Sequence, residues 1–118
     1  DSFSGFVQLK IDEKDKNKTA WICHKGLCKF NRLPHGLAVS PNYFVGCINQ
    51  VFEGASGHLA AYMDDLLCHS SSWHDHLVHL EDTFIRLRKN GLKLRSSKCS
   101  FVQPRVKFQG TTPALDKV

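Results

Sequence analysis

The sequence predicts an α+β domain with helices packed on one face of an antiparallel sheet. Three observations carry that expectation. Short apolar segments come in couples that fold back across polar turns: TAWIC and LCKFN around HKG, then HLAAYM and LLCHS around Asp64-Asp65. Two longer stretches repeat apolar residues at helical spacing. Strand couples and helices therefore alternate, and the strands of each couple meet at a hairpin, which suits a sheet covered from one side.

Near the start, SGF suggests a turn or a short helical turn, and Val7 to Ile11 alternates apolar and polar residues. DEKDKNK is a polar loop, and the first strand couple follows it. RLPHGLAV is a loop carrying Pro34 and Gly36. Ser40 can cap the next helix and Pro41 suits its first position. Phe44, Cys47, Ile48, Val51 and Phe52 then recur as a core stripe, and Gly54 can close the helix in the left-handed conformation. Beyond the second strand couple, SSSWHDHLVHLEDTFIRLRKNG reads as a long helix capped by Ser72. Its inward stripe is Leu77, Leu80, Phe84 and Leu87, and Asn90-Gly91 ends it with basic residues in the last turn. KCSFVQPRVKFQG suggests two short strands around a turn at Gln103-Pro104.

A chain of 118 residues, 42% hydrophobic and 23% charged, fits one globular domain. No apolar run approaches the roughly 18 to 20 residues that span a bilayer. DSFSGF opens the chain without Met or a signal peptide, so it reads as a piece of something longer. Five cysteines, an odd number without CxxC spacing, suggest free thiols in a reducing compartment.

The net charge of +5 is unevenly spread. Eight of the sixteen Lys and Arg residues fall between Arg86 and Lys107, and no Asp or Glu interrupts them. Such a run is either a solvated face or a surface that meets a polyanion.

Asp64 and Asp65 are the chemical oddity, because apolar residues run up to them and away from them. Two adjacent carboxylates repel, and one would take up a proton unless a cation sits between them. Magnesium fits, since it takes oxygen ligands from one or two carboxylates together with substrate phosphates. Two-metal phosphoryl transfer wants a further carboxylate, for which Asp1, Asp12, Glu13 and Asp15 are all candidates by spacing. His74, His76 and His79 form the other metal-like group, but on a helix only 76 and 79 share a face, so a solvated helix start is the plainer reading.

Several motifs in order carry a family resemblance. Tyr62–Asp65 reads YMDD, preceded by RLPHGLAVSPNYF and followed by HLVHLEDTFIRLRKNGLKLRSSKC; DSFSGFVQLKI, KTAW and FNRLPHG stand upstream. From Asp1 to Gly110 the chain resembles the reverse transcriptases of LTR retrotransposons of the Ty3/gypsy type, with a retrovirus-like YMDD box. The resemblance implies a polymerase palm over residues 1–110 with a tail at 111–118, and an RNA-directed DNA polymerase adding dNTPs to a primer on an RNA or DNA template. It makes Asp1, Asp64 and Asp65 the catalytic, metal-binding triad for two Mg2+ ions, with Mn2+ as a substitute. Phe6 would lie under the nucleotide sugar; core packing is the alternative, but Phe6 is out of phase with Val7, Leu9 and Ile11. His35, Gly36, Tyr62 and Met63 would shape the nucleotide site, and Lys98 would protonate the leaving pyrophosphate. Phe108, Gln109 and Gly110 would form the primer grip. The chain departs from the family pattern at Ser2-Phe3, His35, Val45 and Gln109.

The implied partners are template–primer, dNTP and the rest of a pol polyprotein (fingers, thumb and RNase H), with no membrane. The implied setting is intracellular, in cytoplasmic virus-like particles. Lacking fingers and thumb, the isolated 118 residues are expected to polymerise poorly. The rival expectation is a palm relic that binds nucleic acid without catalysis.

Overall fold

The computed structural model describes residues 5–106. In chain order these form α1 (Gly5–Gln8), α2 (Glu13–Lys16), β1 (Trp21–Cys23), β2 (Gly26–Cys28), α3 (Ser40–Val51), β3 (Leu59–Tyr62), β4 (Asp65–Cys68) and α4 (Trp73–Lys89). Single 3-10 turns cover Asn17–Thr19 and Ser96–Lys98. Among the described residues the strands make two antiparallel hairpins, β1–β2 and β3–β4.

The core grows from the α3 stripe. Phe44, Ile48 and Phe52 are buried and meet Ala55, Leu59 at the start of β3 and Leu87 of α4. Phe6, Leu9, Leu66, Cys68, Leu92 and Leu94 pack around that centre. Side chains alternate along a strand, so Leu59, Leu66 and Cys68 share the core-facing side of β3–β4, while Ala60, Tyr62, Asp65 and Leu67 share the other. The helices α3 and α4 thus cover one side of the second hairpin, as expected for this α+β class. Gly54, at φ +82°, follows the end of α3 in the expected left-handed conformation.

Several local expectations are corrected. Ser40 lies inside α3 and caps nothing; its buried hydroxyl donates to the Pro34 carbonyl at 2.9 Å, tying the helix to the preceding loop. Val7 to Ile11 is not a strand: α1 runs to Gln8, and only Lys10 makes a bridge, with Arg32. DEKDKNK is helical, because Asp12 caps α2 and Lys16–Glu13 and Lys18–Asp15 pair at i,i+3 spacing. Residues 99–106 form no strand, and 107–110 lie outside the described residues.

The α4 cap is as expected, with Ser72 Oγ accepting from the Asp75 amide at 3.1 Å. Its inward face is rotated, however. Leu80 and Leu87 turn in, but Leu77 and Phe84 are exposed, and Thr83, His76 and His79 take the inward positions. The reason is a polar network at the base of β3–β4. Ser70 Oγ lies 2.6 Å from Nδ1 of His79 and 3.3 Å from Nδ1 of His76. The His79 ring stacks on that of His58, with centroids 4.1 Å apart. Arg86 completes this side of the helix: it donates to Asp82 at 2.9 Å and to the carbonyls of Val51 and Glu53 at 3.3 and 2.8 Å.

Candidate active site

Tyr62 pairs with Asp65 across the second hairpin, so Met63 and Asp64 alone make the turn. Asp65 is the first residue of β4, half-buried, whereas Asp64 is exposed at the tip. Met63 holds φ at +49°, a region that L side chains rarely occupy. Such strain persists where surrounding structure enforces it, and it concentrates at functional sites. Here the enforcement comes from β3 and β4, whose Leu59, Leu66 and Cys68 are anchored in the core.

A cleft of about 490 Å³ lies between β4, α4 and the segment after α4. Asp65 lines it together with Lys98, Arg105 and Phe101, and Leu80 and Thr83 contribute from α4. One carboxylate thus borders the same space as two basic side chains, an arrangement able to hold a cation and a phosphate side by side. Sequence reasoning singled out Lys98 but missed Phe101. No periodic signal marks Phe101, because the segment that carries it is irregular and its ring is placed by an edge contact with Phe84 at 6.2 Å.

A second group forms where α1 meets the loop before α3. The Phe6 ring lies 4.9 Å from the His35 ring and 5.3 Å, edge-on, from Phe44. Phe6 therefore packs on the core although it is out of phase with Val7, Leu9 and Ile11, and its ring also touches His35. Gly36 beside it takes φ +95°, where a side chain would be strained. Tyr62 and Met63 are both about half exposed at the hairpin tip.

The other carboxylates considered for the triad are engaged locally. Lys16 beside Glu13 and Lys18 beside Asp15 hold both carboxyls below their ordinary range, and Asp12 caps α2. Asp1, Phe108, Gln109 and Gly110 lie outside the described residues. Among the described residues no three His, Cys, Asp or Glu side chains converge on a metal-sized site; His74 is exposed on α4 while His76 and His79 turn to Ser70. No described helix is long and apolar enough to cross a membrane.

Comparison with known proteins agrees with this fold. Residues 1–112 match the family described as Reverse transcriptase (RNA-dependent DNA polymerase). The chain is 32% identical over 108 residues to the Transposon Tf2-3 and Tf2-7 polyproteins of Schizosaccharomyces pombe, covering 91% of its own length and 8% of theirs. Its fold matches a foamy viral protease-reverse transcriptase in complex with an RNA/DNA hybrid, with a TM-score of 0.84 and 25% identity, over 95% of this chain and 15% of that one. A foamy viral protease-reverse transcriptase in complex with dsDNA matches with a TM-score of 0.82 and 25% identity, over 95% of this chain and 24% of that one. The chain belongs to the reverse transcriptase (RNA-dependent DNA polymerase) family.

Proposed function

We propose that residues 1–110 are the palm of an RNA-directed DNA polymerase that adds dNTPs to a primer 3′-hydroxyl on an RNA or DNA template, with 111–118 a tail. The observation that supports this most is the strained β3–β4 tip. It sets two hard oxygen donors at adjacent positions, one of them bordering a cleft with basic walls. That donor set suits Mg2+, with Mn2+ as a substitute, and Asp64 and Asp65 would hold two ions together with Asp1. When bound, such ions lower the pKa of the attacking hydroxyl and neutralise the triphosphate.

The chain's own residues do the rest. Phe6, held by His35 and Phe44, supports the sugar and leaves little room for a 2′-hydroxyl. Gly36, Tyr62 and Met63 border the nucleotide, and Phe108, Gln109 and Gly110 hold the primer end. Lys98 hands its proton to the leaving pyrophosphate oxygen. Exposed Arg88, Lys89, Lys93 and Arg105 meet template–primer phosphates, giving salt-sensitive, sequence-independent affinity. Arg86 is not part of that surface, because its guanidinium is engaged by Asp82 and two carbonyls. The chain spans 8% of the Tf2 polyproteins, and the fingers, thumb and RNase H of a pol polyprotein would supply the remaining contacts.

Equilibrium dNTP binding with and without Mg2+ tests the proposal. Binding that requires the metal and is lost in Asp64→Asn supports the polymerase. Duplex binding that ignores the metal, with no nucleotide binding, would leave a non-catalytic nucleic-acid-binding relic.

A further inference from the structure

Cys23 and Cys28 show no paired-cysteine spacing in sequence, yet the first hairpin brings them together. Cys23 pairs with Gly26 and Trp21 with Cys28, so the two cysteines sit diagonally on one side of β1–β2. Their sulfurs are 3.9 Å apart and both residues are half-buried, hence reachable from solvent. The Lys25 amide donates to Cys23 Sγ at 3.4 Å, while the Cys28 thiol points to the Gly26 carbonyl at 4.0 Å. Either sulfur can donate to the other across this contact. Among the described residues no other two sulfurs touch: the Cys99 thiol donates to the Arg95 carbonyl at 3.3 Å, and Cys68 bonds Thr83.

We propose that Cys23 and Cys28 form a dithiol oxidation site, converted to an intrachain disulfide by a small-molecule disulfide of the glutathione class. The Cys23 thiolate attacks one sulfur of the oxidant, forming a mixed disulfide and expelling one glutathione thiolate. The Cys28 thiolate then attacks Cys23 Sγ and expels the second. Two protein thiols are oxidised, one oxidant molecule is reduced to two thiols, and the two cysteine protons pass to the departing glutathiones. Closure brings the sulfurs from 3.9 Å to a bond of about 2.05 Å. The hairpin can make that adjustment, because its far side carries the exposed pair Ile22 and Leu27 and does not rest on the core. In a reducing setting the site stays a dithiol; under oxidation the hairpin becomes stapled.

The test treats the full chain with oxidised glutathione, alkylates the remaining thiols and digests with trypsin. Cleavage after Lys18, Lys25 and Lys29 separates Thr19–Lys25 from Gly26–Lys29, one cysteine on each. The expected product is these two peptides joined, lighter by two hydrogens than their sum, with Cys47, Cys68 and Cys99 alkylated and the chain monomeric on a non-reducing gel. Amide exchange across Trp21–Cys28 should slow by about tenfold or more, as cross-linking removes loop entropy from the opened hairpin. Cys28→Ser should trap Cys23 as a stable mixed disulfide with glutathione. Alkylated Cys23 and Cys28 in the treated chain, mixed disulfides there that never resolve, or bridges favouring Cys47, Cys68 or Cys99 would each overturn the proposal.

Discussion

The two hairpins share a design and differ in what supports it. Each joins short antiparallel strands by a two-residue turn: His24-Lys25 in the first, Met63-Asp64 in the second. In the first, the positive φ falls on Gly26, at +107°, where no Cβ resists it. Its cross-strand pair Ile22 and Leu27 stays 80% and 76% exposed. In the second, Leu59 is buried against Phe52 and Leu87, and a methionine is driven to φ +49°. A hairpin anchored in the core can hold a side chain in a costly conformation and present the next residue, Asp64, in a fixed place. A hairpin resting on itself has to use glycine.

Truncation should separate the two most strongly. Leu59→Ala removes the anchor of β3 and is expected to cost about 2–5 kcal/mol. Leu27→Ala, at an exposed site, should stay within about 0.5 kcal/mol. Urea unfolding of both variants checks this, and equal losses would mean that the first hairpin is as well supported as the second. Glycine swaps should then give opposite signs. Gly26→Ala forces a side chain into a left-handed conformation and should cost about 1 kcal/mol. Met63→Gly relieves one and should gain up to about 1 kcal/mol, at the expense of a fixed turn. A destabilised Met63→Gly would show that the methionine side chain, not the backbone, holds the tip.

The smallest expected effect concerns pH. Burial raises the Cys68 thiol above its ordinary value of 9.0, with the Thr83 hydrogen bond pulling the other way. The folded chain therefore keeps this proton more firmly than the unfolded chain. The stability it lends is complete below pH 9 and falls as pH rises through the raised pKa. Cys68→Ala should flatten that decline in alkaline unfolding curves. An unchanged slope would assign the pH dependence to another group.

Much of this contrast was legible in the sequence. The Phe44, Ile48, Phe52 stripe and both turns follow from spacing that burial rewards directly. The face of α4 did not, because hydrophobic periodicity gives no weight to histidines, and here His79 is turned inward by a ring stack on His58 and a bond to Ser70. The helix within DEKDKNK was hidden for a related reason: its order comes from i,i+3 ion pairs and the Asp12 cap, with no apolar stripe at all. At the candidate site, the acidic pair was legible as two charges in an apolar run. The cleft that Asp65 shares with Phe101 and Arg105 was not, since it depends on how an irregular segment folds back against β4 and α4.

Manganese broadening of amide NMR signals tests most directly whether the β3–β4 tip is a metal site. Substoichiometric Mn2+ should erase the signals of Tyr62 to Leu66 first, spare Trp21 to Cys28, and lose that selectivity in Asp64→Asn. Broadening centred instead on Asp12, Glu13 and Asp15, and unchanged by Asp64→Asn, would contradict it.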